Sequence, residues 1–325
     1  MTILVTGSAG HLGEALMRTL GCERAHGLDL KPSAFTDNVG SIIDREFVRH
    51  CMSGVHTVIH PATLHKPHIA THDAESFVET NIRGTLILLE EAVAAGVRCF
   101  IFTSTTSVFG WALVPGAGEP ASWVTEDVHP APKNIYGVTK TAAEDLCELF
   151  SRKYGLAVAV LRTSRFFPEP DDDPAVREKY EPANVQANEL LYRRTDIADV
   201  VDAHLVAIEK VRSTGFARYL ISATTPFSKS DLPLLRSEAR CVVRRLFPEC
   251  EALFAARNWH LPSEIDRVYV NPRARANLGW QPKYNFRYVL DCLKEGRDFR
   301  SPLAREIGIK GYHGESFADG LYPVA

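Results

Sequence analysis

The sequence predicts an α/β fold, a doubly wound parallel sheet with a smaller C-terminal substrate lobe, from three observations. First, Thr2 to Thr6 is a short apolar run with β-branched residues, as in a buried parallel strand. Second, a glycine-rich loop follows directly and leads into Glu14 to Leu20, which has helical spacing. Third, apolar runs then alternate with helical segments along the first half of the 325 residues. A strand, a glycine loop and a helix in this order predict a Rossmann-type domain.

The glycine loop is the predicted phosphate site. Gly7 permits a tight turn, Gly10 lets the backbone approach a pyrophosphate, and Gly13 lets the helix pack on the strand. The pyrophosphate would lie at the amino end of the helix, where free amides and the helix dipole favour an anion. The alternative is a tight turn that binds no ligand. The cofactor-binding residues predicted here are Gly7, Ser8, Ala9, Gly10, His11, Leu12 and Gly13.

A second predicted strand, Arg24 to Leu30, has an acidic residue next to its end. Asp29 lies 22 residues after Gly7, where a carboxylate accepts hydrogen bonds from the adenosine ribose. Its charge would repel a 2′-phosphate, so NAD is favoured over NADP, although Lys31 lies close by. Leu30 is included in the predicted cofactor site. The alternative role for Asp29 is to cap a helix or turn.

A histidine-rich loop follows the next predicted elements, which are strands at Val39 to Ile43 and Thr57 to His60 with a helix from Asp44 to Met52 between them. Five histidines occur within 17 residues, namely His56, His60, His65, His68 and His72. No cysteine or acidic ligand stands at zinc-like spacing, and Pro67 disfavours a helix there. The sequence therefore predicts no metal site but a loop beside the cofactor, whose histidines contact substrate.

A cluster of hydroxyl groups follows a long predicted helix, Glu75 to Ala95. Asn81 in that helix is interpreted either as a buried polar staple or as a cofactor-loop contact. Cys99 to Thr103 is the next predicted strand, and it runs into Ser104-Thr-Thr-Ser107. Open α/β sheets bind ligands at the carboxyl ends of their strands, so these hydroxyl groups lie on the predicted binding edge.

Tyr136 and Lys140 are four residues apart, which places both side chains on one face of a helix. A free tyrosine has a pKa near ~10 and is a poor base at neutral pH. A nearby ammonium favours the phenolate, so we expect Lys140 to lower the pKa of Tyr136. The Y-x-x-x-K pattern thus predicts a proton-transfer site beside the glycine loop.

Composition and charge exclude several classes of protein. A net charge of -3 gives no reason to expect nucleic acid or an anionic membrane as a partner. No apolar run reaches 18 residues, and no secretory signal precedes the first strand. The 7 cysteines are scattered and never form C-x-x-C, which indicates reduced thiols. We therefore expect a cytoplasmic protein with a small-molecule substrate.

Taken together, the motifs resemble those of the extended short-chain dehydrogenase/reductase superfamily, in its NAD-dependent epimerase/dehydratase family. The resemblance covers about residues 1–296. It is carried by Thr6-Gly-Ser-Ala-Gly-His-Leu-Gly13, Asp29, His60-Pro-Ala, Asn81-Ile-Arg-Gly-Thr85, Ser104-Thr-Thr-Ser-Val-Phe-Gly110, Tyr136-Gly-Val-Thr-Lys140, Leu161-Arg162, Asp199-Val-Val-Asp-Ala-His204 and Leu278-Gly-Trp-Gln-Pro282.

The resemblance implies roles for individual residues. Thr105 would be the catalytic hydroxyl, with Ser104 beside it, and Tyr136 would be the acid/base. Lys140 would hold the nicotinamide ribose. Ala62, Asn81, Ser104 and Pro168 join the implied cofactor contacts, although the stretch after Arg165 departs from the family's asparagine-containing version. A homodimer is also implied.

The second half of the chain predicts the substrate lobe. We interpret Leu156 to Leu161 as the last strand of the sheet proper, and the Pro/Asp-rich stretch from Pro168 as the boundary. The predicted domains are 1–167 for NAD and 168–325 mostly for substrate, with about 196–222 returning to the first. Helices are predicted at Asn184 to Leu191, Ala198 to Val211, Asp231 to Leu246 and Phe286 to Glu295, and a strand at Arg218 to Ser222.

Substrate identity is less well specified by the sequence. Sugar-nucleotide epimerases of this family carry a phosphate-binding arginine where Tyr192 stands here, with Arg193 and Arg194 adjacent. The 4,6-dehydratases carry Asp-Glu where Thr106-Ser107 stand, so dehydration is disfavoured. The predicted substrate residues are Thr63, His65, Thr106, Asn188 and Arg193.

The predicted function is hydride transfer at a secondary alcohol or ketone of a sugar or sugar-nucleotide-like substrate, by a Thr-Tyr-Lys triad. Epimerase and net dehydrogenase use the same residues, so the sequence leaves both open. The alternatives are an NAD(P)-dependent dehydrogenase or reductase of a small non-nucleotide carbonyl or alcohol, and a non-catalytic dinucleotide-binding protein.

Overall fold

The computed structural model describes residues 2–171, 173–311 and 317. The strands are β1 (Ile3–Thr6), β2 (Ala25–Asp29), β3 (Asn38–Val39), β4 (Thr57–His60), β5 (Cys99–Thr105), β6 (Ser122–Val124), β7 (Ala157–Thr163), β8 (Phe216–Ile221) and β9 (Arg267–Tyr269). The helices are α1 (His11–Leu20), α2 (Arg45–Cys51), α3 (Ala74–Phe77), α4 (Gly84–Ala94), α5 (Ile135–Tyr154), α6 (Pro174–Lys179), α7 (Pro182–Glu189), α8 (Ile197–Thr214), α9 (Leu232–Leu235), α10 (Ala239–Leu246), α11 (Cys250–Ala255), α12 (Pro272–Leu278), α13 (Phe286–Lys294) and α14 (Pro302–Ile307).

Within these residues, seven strands form a parallel sheet in the order β3-β2-β1-β4-β5-β7-β8. The chain winds outwards from β1 through β2 to β3 and then returns to place β4 on the other side of β1. This reversal of the strand order opens a crevice at the carboxyl ends of β1 and β4, where open α/β sheets bind ligands. The predicted α/β fold, a Rossmann-type doubly wound sheet, is confirmed.

The three largest hydrophobic clusters among the described residues pack the helices on the sheet and hold the smaller lobe together. One lies between the sheet and α1, α8, α12 and α14, and it includes Leu16 and Val200. A second lies on the other face of the sheet, against α2, α4 and α5, and it includes Leu88 and Cys147. A third, with Phe254 and Phe286, holds the smaller lobe together and lies among α7, α9, α10, α11 and α13. The sheet is therefore buried on both faces, as its nearly continuous apolar strands require.

Several predicted elements differ in detail from the structure. Only Asn38–Val39 of the third strand pairs with β2. The helix predicted from Glu75 is interrupted by a π-helical turn, Val78–Arg83. The helix predicted from Asp231 is divided into α9 and α10. The His65 loop contains a short 3-10 helix, Lys66–Ala70, because proline is tolerated in a first turn, where its missing N–H is not needed.

The sheet also extends beyond the strand interpreted as its last. β7 continues to Thr163, and β8 pairs with it along its whole length, so β8 is the edge strand. α12 and α14 pack on the sheet as well, while β6 pairs with β9 on the lobe side. The division at residue 168 stays a prediction. Of the helices described, none is long and apolar enough to cross a membrane.

Candidate active site

A cleft with a volume of about 1240 Å³ lies at the carboxyl ends of β1, β4 and β5. Its lining includes Gly7, Gly13 and Asp29, which we call the dinucleotide side. It also includes residues that come from well-separated segments, which we call the substrate side, namely Thr63, His65, Thr106, Phe167, Arg193, Arg267 and Tyr269. Thr105 and Tyr136 line the cleft too. The cleft is large enough for a dinucleotide and a second small molecule.

The glycine loop on the dinucleotide side leaves no room for a side chain at Gly7 or Gly13. Gly7 has a φ of 66°, and a Cβ atom there would lie 2.9 Å from the Cα atom of Ala62. A Cβ atom on Gly13 would lie 1.9 Å from the carbonyl oxygen of Gly7. The N–H of Gly10 donates to Gly7 O at 3.0 Å, and α1 begins at the next residue. The loop therefore presents backbone at the amino end of α1, which fits the pyrophosphate of a dinucleotide.

Asp29 ends β2 and contacts this loop directly. Its Oδ2 atom accepts from the N–H of Ala9 at 2.9 Å, and its Oδ1 atom accepts from the N–H of Lys31 at 2.9 Å. Each carboxylate oxygen keeps a further lone pair for a ribose hydroxyl. Leu30 follows at the cleft, 67% exposed, whereas Ser8 is buried and its hydroxyl pairs with Thr36 Oγ1 at 2.9 Å. The residues present thus fit an NAD site. Ser8 supports the loop from the protein interior through its hydrogen bond to Thr36.

Tyr136 and Lys140 lie one turn apart on α5. Asn134 caps this helix, because its Oδ1 atom accepts from the N–H of Gly137 at 3.1 Å. The cap fixes the first turn, and Tyr136 faces the cleft from it. The Tyr136 phenol makes a hydrogen-bonding interaction with the side chain of Thr105, the last residue of β5. The structure therefore brings the phenol and the hydroxyl together on the binding edge.

Burial governs the ionisation of this pair of α5 residues. It raises the pKa of Tyr136 to about 12, and the interaction with Thr105 offsets only part of that effect. Burial lowers the pKa of Lys140 to about 7. The Lys140 Nζ atom donates to the carbonyl of Thr103 at 2.7 Å. The expected lowering of the Tyr136 pKa by Lys140 does not occur in this structure, because Lys140 points to β5 and desolvation of the phenol dominates.

A buried polar network lies beside the site. The hydroxyl of Ser104 donates to Glu144 Oε1 at 2.5 Å, and Arg162 Nη2 donates to Glu144 Oε2 at 2.7 Å. Arg162 Nη1 also reaches the carbonyl of Glu126 at 3.2 Å. Ser104 is a predicted cofactor contact, but its side chain is committed to this network. Its role here is to hold the end of β5 against α5, and so to fix Thr105.

Asn81 ties the loop after β4 to α5. Its Oδ1 atom accepts from the N–H of Leu64 at 2.8 Å and from Thr63 Oγ1 at 2.9 Å. Its Nδ2 atom donates to Leu64 O at 2.9 Å and to Thr139 Oγ1 at 3.0 Å. Asn81 is 2% exposed, so the buried-staple interpretation is favoured over direct cofactor contact. Ala62 lies in the same loop and lines the cleft against Gly7.

Aromatic and charged side chains build the substrate side. The His65 ring stacks on Phe167, with centroids 5.7 Å apart. Arg193 Nη2 pairs with Glu189 Oε1 at 2.7 Å. Burial would raise the pKa of Glu189, but Arg194, Arg193 and Arg165 together lower it to about 2. The carboxylate is therefore ionised at neutral pH and fixes Arg193 at the cleft wall.

Two predicted contacts lie away from the cleft. Asn188 is buried, and its Nδ2 atom donates to the carbonyl of His260 at 2.8 Å. Pro168 lines a small separate cavity, and its carbonyl accepts from Gln186 Nε2 at 3.1 Å. Asn188 belongs to α7, and Gln186 of the same helix contacts Pro168, so the hydrogen bonds of both predicted residues hold α7 in place. The cleft wall at this turn consists of Phe166 and Phe167 instead.

Several residues that line the cleft are not predicted by the sequence motifs. Lys133 stands three residues before Tyr136, and this nearness alone could have suggested it. Arg267 and Tyr269 come from β9, which reaches the cleft because the N–H of Tyr269 donates to Tyr192 O at 2.9 Å. Lys310 and Gly311, after α14, also line the cleft, and no sequence signal indicates them.

The histidines are engaged in packing and hydrogen bonds. His60 is buried and bonds Thr6 Oγ1 at 2.7 Å and Thr85 Oγ1 at 3.1 Å. Burial holds the pKa of His60 well below its usual value. The part of the chain that the structure describes contains no group of three or more His, Cys, Asp or Glu side chains placed to hold a metal ion.

Comparison with known proteins yields a clear family match. The model of the "NAD dependent epimerase/dehydratase family" matches residues 3–221. The chain is 24% identical to a short-chain dehydrogenase/reductase superfamily protein from Agrobacterium tumefaciens, solved with bound NAD. The TM-score is 0.63, over 94% of this chain and 99% of that one. The shared fold and the NAD seen in this and other neighbours agree with the dinucleotide site described above.

Curated relatives span several activities. An uncharacterised protein, y4nG, of Sinorhizobium fredii is 34% identical over 168 residues, which are 50% of this chain and 40% of the relative. A UDP-glucose 4-epimerase of Bacillus subtilis is 25% identical over 87% of this chain and 93% of its own length. A uronate dehydrogenase of Pseudomonas syringae is 28% identical over 52% and 61%. The chain spans about half the length of the first relatives it matches.

Proposed function

The chain belongs to the NAD-dependent epimerase/dehydratase family, and from this premise we propose that it oxidises and reduces a secondary alcohol of a sugar or sugar-nucleotide-like substrate. The observation that carries the proposal is the contact of the Tyr136 phenol with Thr105 inside the cleft that also holds the glycine loop. The cofactor is NAD, as predicted. When bound, it supplies the acceptor for a hydride.

Tyr136 is the proposed proton acceptor. In the oxidation direction its phenolate takes the proton of the substrate hydroxyl, and Thr105 donates a hydrogen bond to the same oxygen. Burial disfavours the phenolate, so a positive charge must offset this cost when the site is loaded. Lys140, one turn away, is the proposed source of that charge and the proposed partner of the nicotinamide ribose. In the reduction direction the protonated Tyr136 returns the proton.

The fate of the ketone separates two outcomes. If the ketone is retained, turned and reduced again, the enzyme is an epimerase, whereas its release makes the enzyme a dehydrogenase. The epimerase relative covers most of this chain, which supports the first outcome. Dehydration is disfavoured in this proposal because Thr106 and Ser107 supply no carboxyl group to act as the acid that elimination requires.

The substrate residues are proposed from the cleft lining. Thr63, His65, Thr106 and Arg193 would contact the substrate beyond the reacting carbon. Tyr192 is half-buried and carries no charge for a diphosphate, which supports a second candidate: a dehydrogenase of a small non-nucleotide sugar or other alcohol. The uronate dehydrogenase relative favours the same candidate.

Assembly and compartment follow from the family and the composition. We propose a homodimer in the cytoplasm, where the 7 scattered cysteines would stay reduced. Light scattering tests the dimer, and a single-chain mass in solution would contradict it.

A substrate panel tests the proposed reaction. The full chain is incubated with NAD and with sugars, sugar nucleotides, sugar acids and small alcohols, while NADH fluorescence and product stereochemistry are followed. Stereoisomer formation without net NADH identifies an epimerase, and net NADH identifies a dehydrogenase. An unsaturated or deoxy product would show that the enzyme dehydrates its substrate, and it would contradict the expectation that dehydration is disfavoured. Tight NADH binding without turnover of any panel member would support a non-catalytic dinucleotide-binding protein and contradict the proposal.

A further inference from the structure

Glu14 creates an electrostatic problem at the glycine loop. It lies in the first turn of α1, directly after Gly13 of the cleft lining, and it is 8% exposed. Two negative groups near one helix terminus repel each other, and burial weakens the screening by water. A dinucleotide site with an acid at this position therefore needs a compensating cation.

Two cations contact Glu14. Arg18 Nε donates to Glu14 Oε1 at 2.8 Å from the next turn of the same helix. Lys310 Nζ pairs with Glu14 Oε2. Burial would raise the pKa of Glu14, but its hydrogen bonds to Lys310 and Arg18 outweigh burial and lower it. Glu14 is thus ionised at neutral pH, and its charge is balanced from two sides.

Of the two cations, Lys310 alone lines the cleft. The N–H of Lys310 donates to Glu169 Oε1 at 3.2 Å, and Glu169 Oε1 lies 2.7 Å from His11 Nε2. Arg18 also pairs with Glu306 on α14. α14 and the residues after it are therefore held to α1 at several points, directly and through Glu169, which fixes the Lys310 ammonium beside the first turn of α1.

We propose that Lys310 is a cofactor-positioning residue that cancels the charge of Glu14 at the pyrophosphate end of the NAD site. The helix terminus and the glycine backbone can then bind the two phosphates without opposition from a carboxylate. The inference concerns dinucleotide binding alone. It holds whether the enzyme is an epimerase or a dehydrogenase, so its failure would leave the proposed reaction standing.

The test compares ligands with and without phosphates on the full-length Lys310→Ala variant. Calorimetry is used for ADP-ribose and adenosine, and fluorescence for NADH. We expect about tenfold weaker binding of NADH and ADP-ribose, and unchanged binding of adenosine, because adenosine carries no charge near Glu14. Lys294→Ala is the matched control, since Lys294 pairs with Glu249 on the lobe, outside the cleft. NADH affinity within about twofold of wild type, or an equal loss for adenosine, would overturn the proposal.

A double variant separates charge cancellation from simple support of the fold. Glu14→Gln combined with Lys310→Ala removes both charges, and we expect NADH affinity to return to within about threefold of wild type. A merely structural Lys310 would give a double variant at least as weak as Lys310→Ala, and that result would overturn the proposal. Thermal unfolding of each variant shows that the compared proteins are folded.

Discussion

On the dinucleotide side of the cleft, the contacts are made mainly by backbone from one continuous stretch, Gly7 to Gly13, braced by Asp29. On the substrate side, side chains from segments near residues 65, 106, 167, 193 and 267 meet at one wall. Backbone at a helix terminus binds phosphate in any sequence that can form the turn. Side-chain walls bind whatever shape and charge their residues define. Under the proposed function, the first side would specify the cofactor and the second the substrate, and the residues of the second side could change without altering the first.

On the dinucleotide side, we expect the largest loss of NADH affinity from Gly13→Ala. The new Cβ atom would lie 1.9 Å from the Gly7 carbonyl oxygen, so the loop must move. We expect NADH affinity to fall about 100-fold or more and the free energy of unfolding to fall by about 3 kcal/mol. Gly10→Ala is the comparison for stability alone: its Cβ atom would lie 3.3 Å from the same oxygen, so the loss of unfolding free energy should be smaller, although Gly10 also lines the cofactor cleft. Equal NADH binding by the Gly13 variant and wild type would contradict the tight-loop account.

A substitution on the opposite wall should leave the cofactor untouched. Arg193→Gln removes a guanidinium that Glu189 holds at the cleft. We expect the KM for the best panel substrate to rise about tenfold or more, with NADH affinity within about twofold of wild type. Arg287→Gln serves as control, since Arg287 pairs with Glu249 outside the cleft. A parallel loss of NADH binding would show that the two sides are not independent.

Asp29→Ala tests cofactor choice. Loss of the carboxylate would remove the proposed hydrogen bonds to the adenosine ribose and also the proposed repulsion of a 2′-phosphate. NADH binding should weaken about tenfold and NADPH binding less, as measured by fluorescence titration. The same loss for both cofactors would mean that Asp29 acts only through its hydrogen bonds to Ala9 and Lys31.

The smallest expected effect concerns the pH dependence of stability. The folded-state pKa of Lys140 is about 7, below its ordinary value of 10.5, because the side chain is buried. Between these values the unfolded chain binds more protons, so the Lys140 contribution to stability rises with pH. It is complete above 10.5 and is lost as the pH falls through about 7.

Urea unfolding of wild type and Lys140→Met measures this contribution. From about pH 7 to about pH 8, the stability of wild type relative to the variant should rise by on the order of 1 kcal/mol. A difference that does not change with pH would contradict a buried, partly neutral lysine.

The two sides also differ in how well the sequence predicts them. The glycine loop, Asp29 and the Tyr136–Lys140 pair are local patterns. The position of each is determined by the strand or helix that contains it or leads into it. Lys310 and Glu14 are 296 residues apart, and no local pattern connects them. Pro168 and Asn188 are predicted at the site from their positions along the chain. In the structure both are engaged in hydrogen bonds within the lobe, which depend on tertiary packing. The pKa values of Tyr136 and Lys140 depend on burial, which only the folded structure determines.

The most direct test of the central claim, that Tyr136 moves the proton in this cleft, is the turnover of Tyr136→Phe with the best panel substrate. The variant keeps the ring and removes only the hydroxyl group. The account predicts that kcat falls about 1000-fold while NADH affinity stays within about twofold of wild type. Turnover within about threefold of wild type would contradict it.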